Sequence, residues 1–280
     1  MVNLETSVIT PKRSLLDLKL KEIWHYRDLL IIFFKRDITV TYKQTILGPL
    51  WFVIQPLLTT IMFVLVFGNI AGIPTGGIPP IVFYLAGITI WTFFADCLRL
   101  NSNTFSNNSY IFGKVYFPRI ITPLSVVASN LVKFGIQMIL FLGVYFYYLF
   151  TTDSLAPNYT LFLLPVFLLI LSLLALGFAL CISAFTTKYR DFTFLVSFGV
   201  QLWMYATPII YSISQIPAKY QKIILANPVS PIVEGFKYSF TSIGTLDAKG
   251  LMYSCIFSII IFLIGLIIFN HTEKSFMDTV

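Results

Sequence analysis

Long apolar runs rather than alternation dominate this chain. They extend roughly over Leu47 to Ile70, Pro80 to Leu98, Leu124 to Phe150, Leu161 to Phe185, Phe192 to Ile213 and Leu251 to Phe269. Each matches the about 20 residues with which a helix crosses about 30 Å of hydrocarbon. Backbone amides in lipid have no water to bond, so a crossing segment satisfies them internally as a helix. A barrel would alternate apolar and polar positions, and these runs are continuous. The pattern predicts an all-α membrane protein with six transmembrane helices, forming one membrane domain over residues 47–270.

The stretch before the first run reads differently. Leu29 to Phe34, LLIIFF, would rise only about 9 Å as a helix and is flanked by charges on both sides. An in-plane amphipathic helix is predicted within residues 1–46, its apolar face in the acyl boundary and its charges among head groups. The alternative is a plain basic flank without a helix. Gly48 and Pro49 offer a turn into the first span. The first 28 residues include Lys12, Arg13, Asp17, Lys19, Lys21 and Glu22, without the apolar core of a secretory signal, so the amino terminus is expected to stay attached.

Two connections carry more pattern than a linker needs. Segment 101–118, NSNTFSNNSYIFGKVYFP, passes from Asn and Ser to Tyr110, Ile111, Phe112, Val115, Tyr116 and Phe117. A short helix here would offer these groups to a docking partner. The same aromatics would equally suit a linker lying in the interfacial belt. Segment 214–250 has apolar groups at near-helical spacing, interrupted at Pro228 and Pro231. Two short amphipathic helices are predicted, with Glu234 and Lys237 as an (i, i+3) pair; a simple cap is the alternative.

Composition supports the membrane reading: 57% of residues are hydrophobic and 11% charged, against about 45–50% and about 25% in soluble domains. The net charge of +7 comes without a nucleic-acid-binding motif, so anionic lipid is the expected partner and nucleic acid is not. Cys97, Cys181 and Cys255 are odd in number and sit in apolar sequence, which argues against disulfides or a metal site. His25 and His271 stand alone at opposite ends. Lysine and arginine number eight in residues 1–46, three in 99–119, two in 187–191 and one in the tail 271–280, whereas loops 71–79 and 151–160 have none and 214–250 has four. The positive-inside rule therefore predicts cytoplasmic amino and carboxyl termini. Asp96 is expected to pair with Arg99 on one helical face. Lys133 is placed to snorkel from the third span toward the inner interface, with a substrate role as the alternative for a charge inside the membrane.

The ordered segments RDITVTYKQTILGPLWFVIQPLL, LAGITIWTFFADCL, YFPRIITPLSVV, YRD at 189–191 and NPVSPIVEGFKYS resemble the membrane subunits of polysaccharide ABC exporters, type-2 ABC permeases, over nearly everything from Arg27 to Phe269. Such relatives export lipid-linked O-antigen, capsular or secondary cell-wall polymers, or teichoic acid. The resemblance implies a multi-pass protein of the bacterial cytoplasmic (inner) membrane, working as a homodimer with two separate cytoplasmic ABC ATPase subunits. ATP and Mg would be bound by those partners and no cofactor by this chain, which lacks the G-x-x-x-x-G-K-[ST] phosphate loop. It also implies an interface helix at 22–46, a coupling helix within 101–118 with Asn107, Asn108, Tyr110, Ile111, Lys114 and Tyr116 toward the ATPase, and extracytoplasmic gate helices at 214–242.

The implied cargo is a glycan on a polyprenyl pyrophosphate, and its two parts set different demands. Sugars present weakly apolar C–H faces on which aromatic rings slide, so Trp51, Phe52, Tyr84, Trp91, Trp203 and Tyr205 are substrate-channel candidates. The pyrophosphate calls for cations near the inner surface, where Arg36, Lys43, Lys114 and Arg119 stand. A permease of the same architecture for a drug or lipid is the alternative. A membrane glycosyltransferase would need carboxylates at a loop, and loop 151–160 has only Asp153. An ion-coupled transporter would show inverted repeats, and none is visible.

Overall fold

The computed structural model describes residues 20–43, 46–152, 155–189, 191–244 and 246–279. The amino-terminal segment 1–19, Asp153 and Arg190 of the YRD triplet lie outside them. Eleven α-helices follow in chain order among the described residues: α1 (Leu20–His25), α2 (Arg27–Tyr42), α3 (Trp51–Phe63), α4 (Pro80–Asn101), α5 (Thr104–Phe112), α6 (Ile121–Thr151), α7 (Leu164–Lys188), α8 (Phe192–Tyr205), α9 (Ala218–Leu225), α10 (Ser230–Thr241) and α11 (Ala248–Thr279). With the tight turn Gly48–Leu50 before it and the wide turns Val64–Ile70 after it, α3 forms one continuous apolar rod over Gly48–Ile70. That rod, α4, α6, α7 with its lead-in, and α11 are the five helices long and apolar enough to cross a membrane, so this is a multi-pass membrane protein.

Among the described residues, five of the six predicted runs form helices of full spanning length, and the other forms a shorter apolar helix. The run predicted to reach Ile213 is helical only over the 14 residues of α8, which rise about 21 Å. Pro208 supplies the reason: it has no N–H, its ring collides with the preceding turn, and it biases Thr207 away from helix. The chain bends at 206–211, and Ile209 drives into α4 so closely that a Cβ on Gly87 would sit 2.9 Å from its Cγ2. From there it returns through α9 and α10. The carboxyl-terminal tail is likewise no separate element, because α11 runs on to Thr279.

Helix α4 is the axis of the bundle. Most of it is buried, and it packs on α3, α6, α7, α8 and α10. Helices α7 and α11 make the closest pairing, because Gly177 and Gly265 let their backbones touch. A Cβ on Gly177 would lie 2.7 Å from the Phe262 nitrogen, and one on Gly265 would strike the Gly177 carbonyl oxygen. In lipid, where apolar side chains gain little by leaving the solvent, such small-residue contacts supply packing.

The two ends of α4 differ in what covers them. At its Pro80 end lies α10, held by Tyr145 Oη donating to the Phe240 carbonyl (2.8 Å) and the Asn158 N–H donating to the Ser239 carbonyl (3.0 Å). Ser242 closes α10 in the left-handed region (φ 52°) and donates its hydroxyl to the Ala156 carbonyl. At the Asn101 end a second apolar cluster of Phe33, Phe105, Phe112, Phe117, Leu266 and Phe269 ties α2 and α5 to α11.

Candidate functional site

The predicted in-plane helix is α2, preceded by the short α1. Phe33 is buried in the second cluster, with Leu29 and Leu30 packed beside it, while Ile31, Ile32 and Val40 stay exposed and Lys35 points away from the protein. One face therefore grips the bundle, and a neighbouring apolar face is left exposed. Asp37 is fixed from two sides: Arg36 donates to its Oδ1 from Nε (2.9 Å) and Nη2 (2.8 Å), and Ser125 of α6 donates to its Oδ2 (3.0 Å). Arg36 also lies over the Phe33 ring, 4.7 Å from its centroid.

Between α2, α5 and α6 is a cavity of about 350 Å³. Arg36, Asp37, Asn107, Asn108, Asn130 and Lys133 supply its polar wall. Of the four proposed phosphate cations, only Arg36 belongs to it. Lys43 and Lys114 are exposed elsewhere. Arg119 is buried as a structural strut, donating from Nη1 to the Glu273 carbonyl (2.8 Å) and covering the Phe112 ring at 5.3 Å. Lys133, expected to snorkel, turns into the cavity with its Nζ 5.3 Å from the Phe52 centroid. The expected Asp96–Arg99 ion pair does not form within 4 Å among the described residues; Lys133 on the neighbouring helix is the stronger electrostatic partner of Asp96. Asn130, which sequence reasoning missed, sits one turn before Lys133 with both amide atoms buried and without a hydrogen-bond partner. The available signal was a polar pair at (i, i+3) inside an apolar run.

The six coupling candidates divide by which way α5 turns. Asn107 and Tyr110 are exposed, followed by exposed Lys114 and Tyr116 in the next loop. Asn108 and Ile111 face inward: Asn108 is buried, gives its amide to the Thr104 carbonyl and accepts from Arg36 Nη1 at 3.3 Å, while the half-buried Ile111 packs against the apolar cluster. The helical period explains the split, because 107 and 110–111 straddle the boundary of the face on which 104, 105, 108 and 112 are buried.

The channel candidates also divide. Trp51 and Tyr205 are exposed and Phe52 is half-buried beneath Lys133. Tyr84 and Trp91 are buried in the core of α4, so no open passage reaches them in this conformation. Trp203 donates from Nε1 to Asn227 Oδ1 (2.9 Å) and packs edge-on to Phe94 and Phe178, on the wall of an apolar groove of about 600 Å³ between α4, α7 and α8.

At the other end, α9 and α10 occupy the stretch where two short helices were predicted. Glu234 and Lys237 do not form a contact ion pair within 4 Å among the described residues. Instead Lys237 is buried, donates from Nζ to the Pro208 carbonyl (2.5 Å) and lies 3.5 Å from the Phe83 centroid, joining α10 to both α4 and the bend after α8. Burial lowers the Lys237 pKa, with Glu234 pulling it back, and burial raises that of Glu234, with Lys237 opposing. No group of three or more metal-ligating residues occurs among the described residues.

Residues 28–241 match the family model described as ABC-2 type transporter. Two proteins of Klebsiella pneumoniae named O-antigen export system permease protein RfbA are 28% and 26% identical, the first over 90% of this chain and 94% of its own length, the second over 94% and 99%. A Myxococcus xanthus protein of the same name is 26% identical over 93% of this chain and 98% of its own. With the match running from the start of α2 to the end of α10, the chain belongs to the ABC-2 type transporter family.

Proposed function

We propose that this chain is the permease subunit of an ABC exporter that carries a lipid-linked, O-antigen-like polysaccharide across the bacterial cytoplasmic (inner) membrane. The observation that carries the reading is the similarity, at 26–28% identity, to three O-antigen export permeases over at least 90% of the chain. In this reading the Asn101 end of α4, with α2, α5 and both termini, faces the cytoplasm. The exposed Asn107, Tyr110, Lys114 and Tyr116 meet a separate ATPase subunit, which binds ATP and Mg. Two copies of the chain work with two ATPases, and the least covered elements, α3 and α8, line the meeting of the copies; only Val200 of α8 is buried in the single chain. Trp51, Phe52 and Tyr205 then offer ring faces along the route, and α10 closes its outer end.

The mechanism follows from what each part can do. A polar polymer cannot enter hydrocarbon, so the route has to open between copies rather than through the filled core around Tyr84 and Trp91. ATP binding shifts α5, and α5 is joined through Asn108 and Arg36 to α2 and through the Phe105–Phe269 ring contact (4.6 Å) to α11. Motion at α5 is thereby shared with a membrane-surface helix and a membrane-spanning one. A strain lacking the gene tests the reading: lipid-linked glycan should accumulate in the cytoplasmic leaflet and return to the surface on complementation. Normal surface polymer in that strain rejects the assignment.

A further inference from the structure

We infer that the cavity between α2, α5 and α6 is a binding site for the phosphate or pyrophosphate group of a membrane lipid, with Lys133 Nζ, the Asn130 amide and Arg36 as its donors. The inference rests on the reading that the cargo is lipid-linked, and it deepens that reading by moving the site away from Lys43, Lys114 and Arg119.

Three observations lead to this chemistry. First, Asn130 is only 2% exposed and lines the cavity, and its Nδ2 and Oδ1 make no hydrogen bond of ordinary length, the Cys97 thiol of α4 being their polar neighbour among the described residues. Buried amides are almost always bonded, so an amide open in this way marks where a ligand's polar atoms go. Second, Lys133 on the same face of α6 forms no ion pair within 4 Å among the described residues; its ammonium rests over Phe52. Third, the carboxylate on the cavity wall is already engaged. Asp37 accepts from Arg36 and Ser125 and fixes the guanidinium plane, which leaves Arg36 Nη1, on a long 3.3 Å bond to Asn108, as the donor able to exchange that bond for a better acceptor in the cavity. Asp96 attracts Lys133 from α4 but does not line the cavity.

What remains is a guanidinium, an ammonium and an amide converging on one space, a donor set suited to phosphate oxygens. Two cations on the wall, with Asp37 already engaged, favour an anion over neutral sugar hydroxyls. The apolar wall points to a lipid rather than a soluble anion: Val40, exposed on α2, Leu100 and Val126 border the same space.

The test uses the full chain in phosphatidylcholine nanodiscs, with a radiolabelled polyprenyl pyrophosphate carrying no sugar as the probe. Lys133→Met and Asn130→Asp, the latter unchanged in shape but acidic, should each weaken binding at least about tenfold, as expected for a lost charge-assisted bond. Lys133→Arg should restore it, and Lys188→Gln, at an exposed position ending α7, should bind as the native chain does. Retention equal to native in both Lys133→Met and Asn130→Asp, with unaltered thermal unfolding, overturns the inference. If Lys133→Met fails to fold, Asn130→Asp alone decides. Displacement of the probe by phosphatidylglycerol identifies a general phospholipid headgroup and resistance to it identifies the lipid carrier; both support a lipid-phosphate site. Equally tight capture of inorganic pyrophosphate overturns the lipid requirement. Because no transport is measured, binding can succeed while the deletion strain exports normally, which would sink the export reading and leave the site standing.

Discussion

Replacing Lys237 with Met removes the one cation that holds α10 against α4 and the bend after α8. The hydrogen bond from a charged donor to the Pro208 carbonyl contributes about 1.5–3 kcal/mol, and a desolvated cation over the Phe83 ring contributes about 2 kcal/mol. Returning the buried ammonium to water in the unfolded state offsets several kcal/mol of this gain, since ion desolvation is costly. The carbonyl left without its donor costs about 1–3 kcal/mol again, and Glu234 loses the charge that favours its ionised form. A net loss of about 2–4 kcal/mol is expected. The assay is a double-mutant cycle in detergent, comparing unfolding of the native chain, Lys237→Met, Glu234→Gln and the double variant. A neutral Gln no longer needs the ammonium, so the double variant should be more stable than the sum of the single losses by at least about 1 kcal/mol. Additive losses, within about 0.5 kcal/mol, would refute the electrostatic coupling, and an unchanged Lys237→Met would refute the clamp itself.

Three further outcomes are expected. Gly265→Leu at the α7–α11 crossing forces the backbones apart and should cost at least about 1–3 kcal/mol, read as a lowered Tm in detergent; an unchanged Tm contradicts the close approach. Tyr110→Ala combined with Asn107→Ala should leave Tm unchanged while reducing co-purification of the ATPase, since both side chains are exposed on α5; full retention of the ATPase contradicts that docking face. Because burial lowers the Lys237 pKa, the folded chain binds fewer protons than the unfolded one between that lowered value and the ordinary lysine value of about 10.4. Stability should therefore rise with pH across that window, and the difference curve between the native chain and Lys237→Met should show this slope; a flat difference contradicts it.

Apolar run length identified five of the long helices, because each needed only a count of residues and no tertiary information. It overran at α8, which ends at Tyr205, three residues before Pro208, inside a run that remains apolar through Ile210. LLIIFF does lie in a helix, α2, and the flanking charges that set it off from the spans are a local signal a sequence can show. Inward-facing residues were the harder part. Asn108 looks like its exposed neighbour Asn107 in composition, and only the rotation of α5 against α2 separates them. Arg119 and Arg36 are both arginines near one end of the bundle, yet one supports the α11 backbone and the other opens into a cavity, a difference set by contacts 154 and 72 residues away in sequence. Lys133 and Asn130 were visible as polar residues in an apolar run, but their convergence with Arg36 depends on how α2 lies across α6.

The central claim is that this chain supplies the membrane passage and draws its energy from another subunit. Reconstitution in sealed liposomes, with a fluorescent polyprenyl-pyrophosphate-linked glycan in the outer leaflet and ATP outside, measures this directly. Proteoliposomes holding the chain with its ATPase should move the glycan to the lumen when ATP is present. Those holding the chain alone should move none. ATP-driven movement by the chain alone, or none by the complete complex while its ATPase is active, would contradict the account.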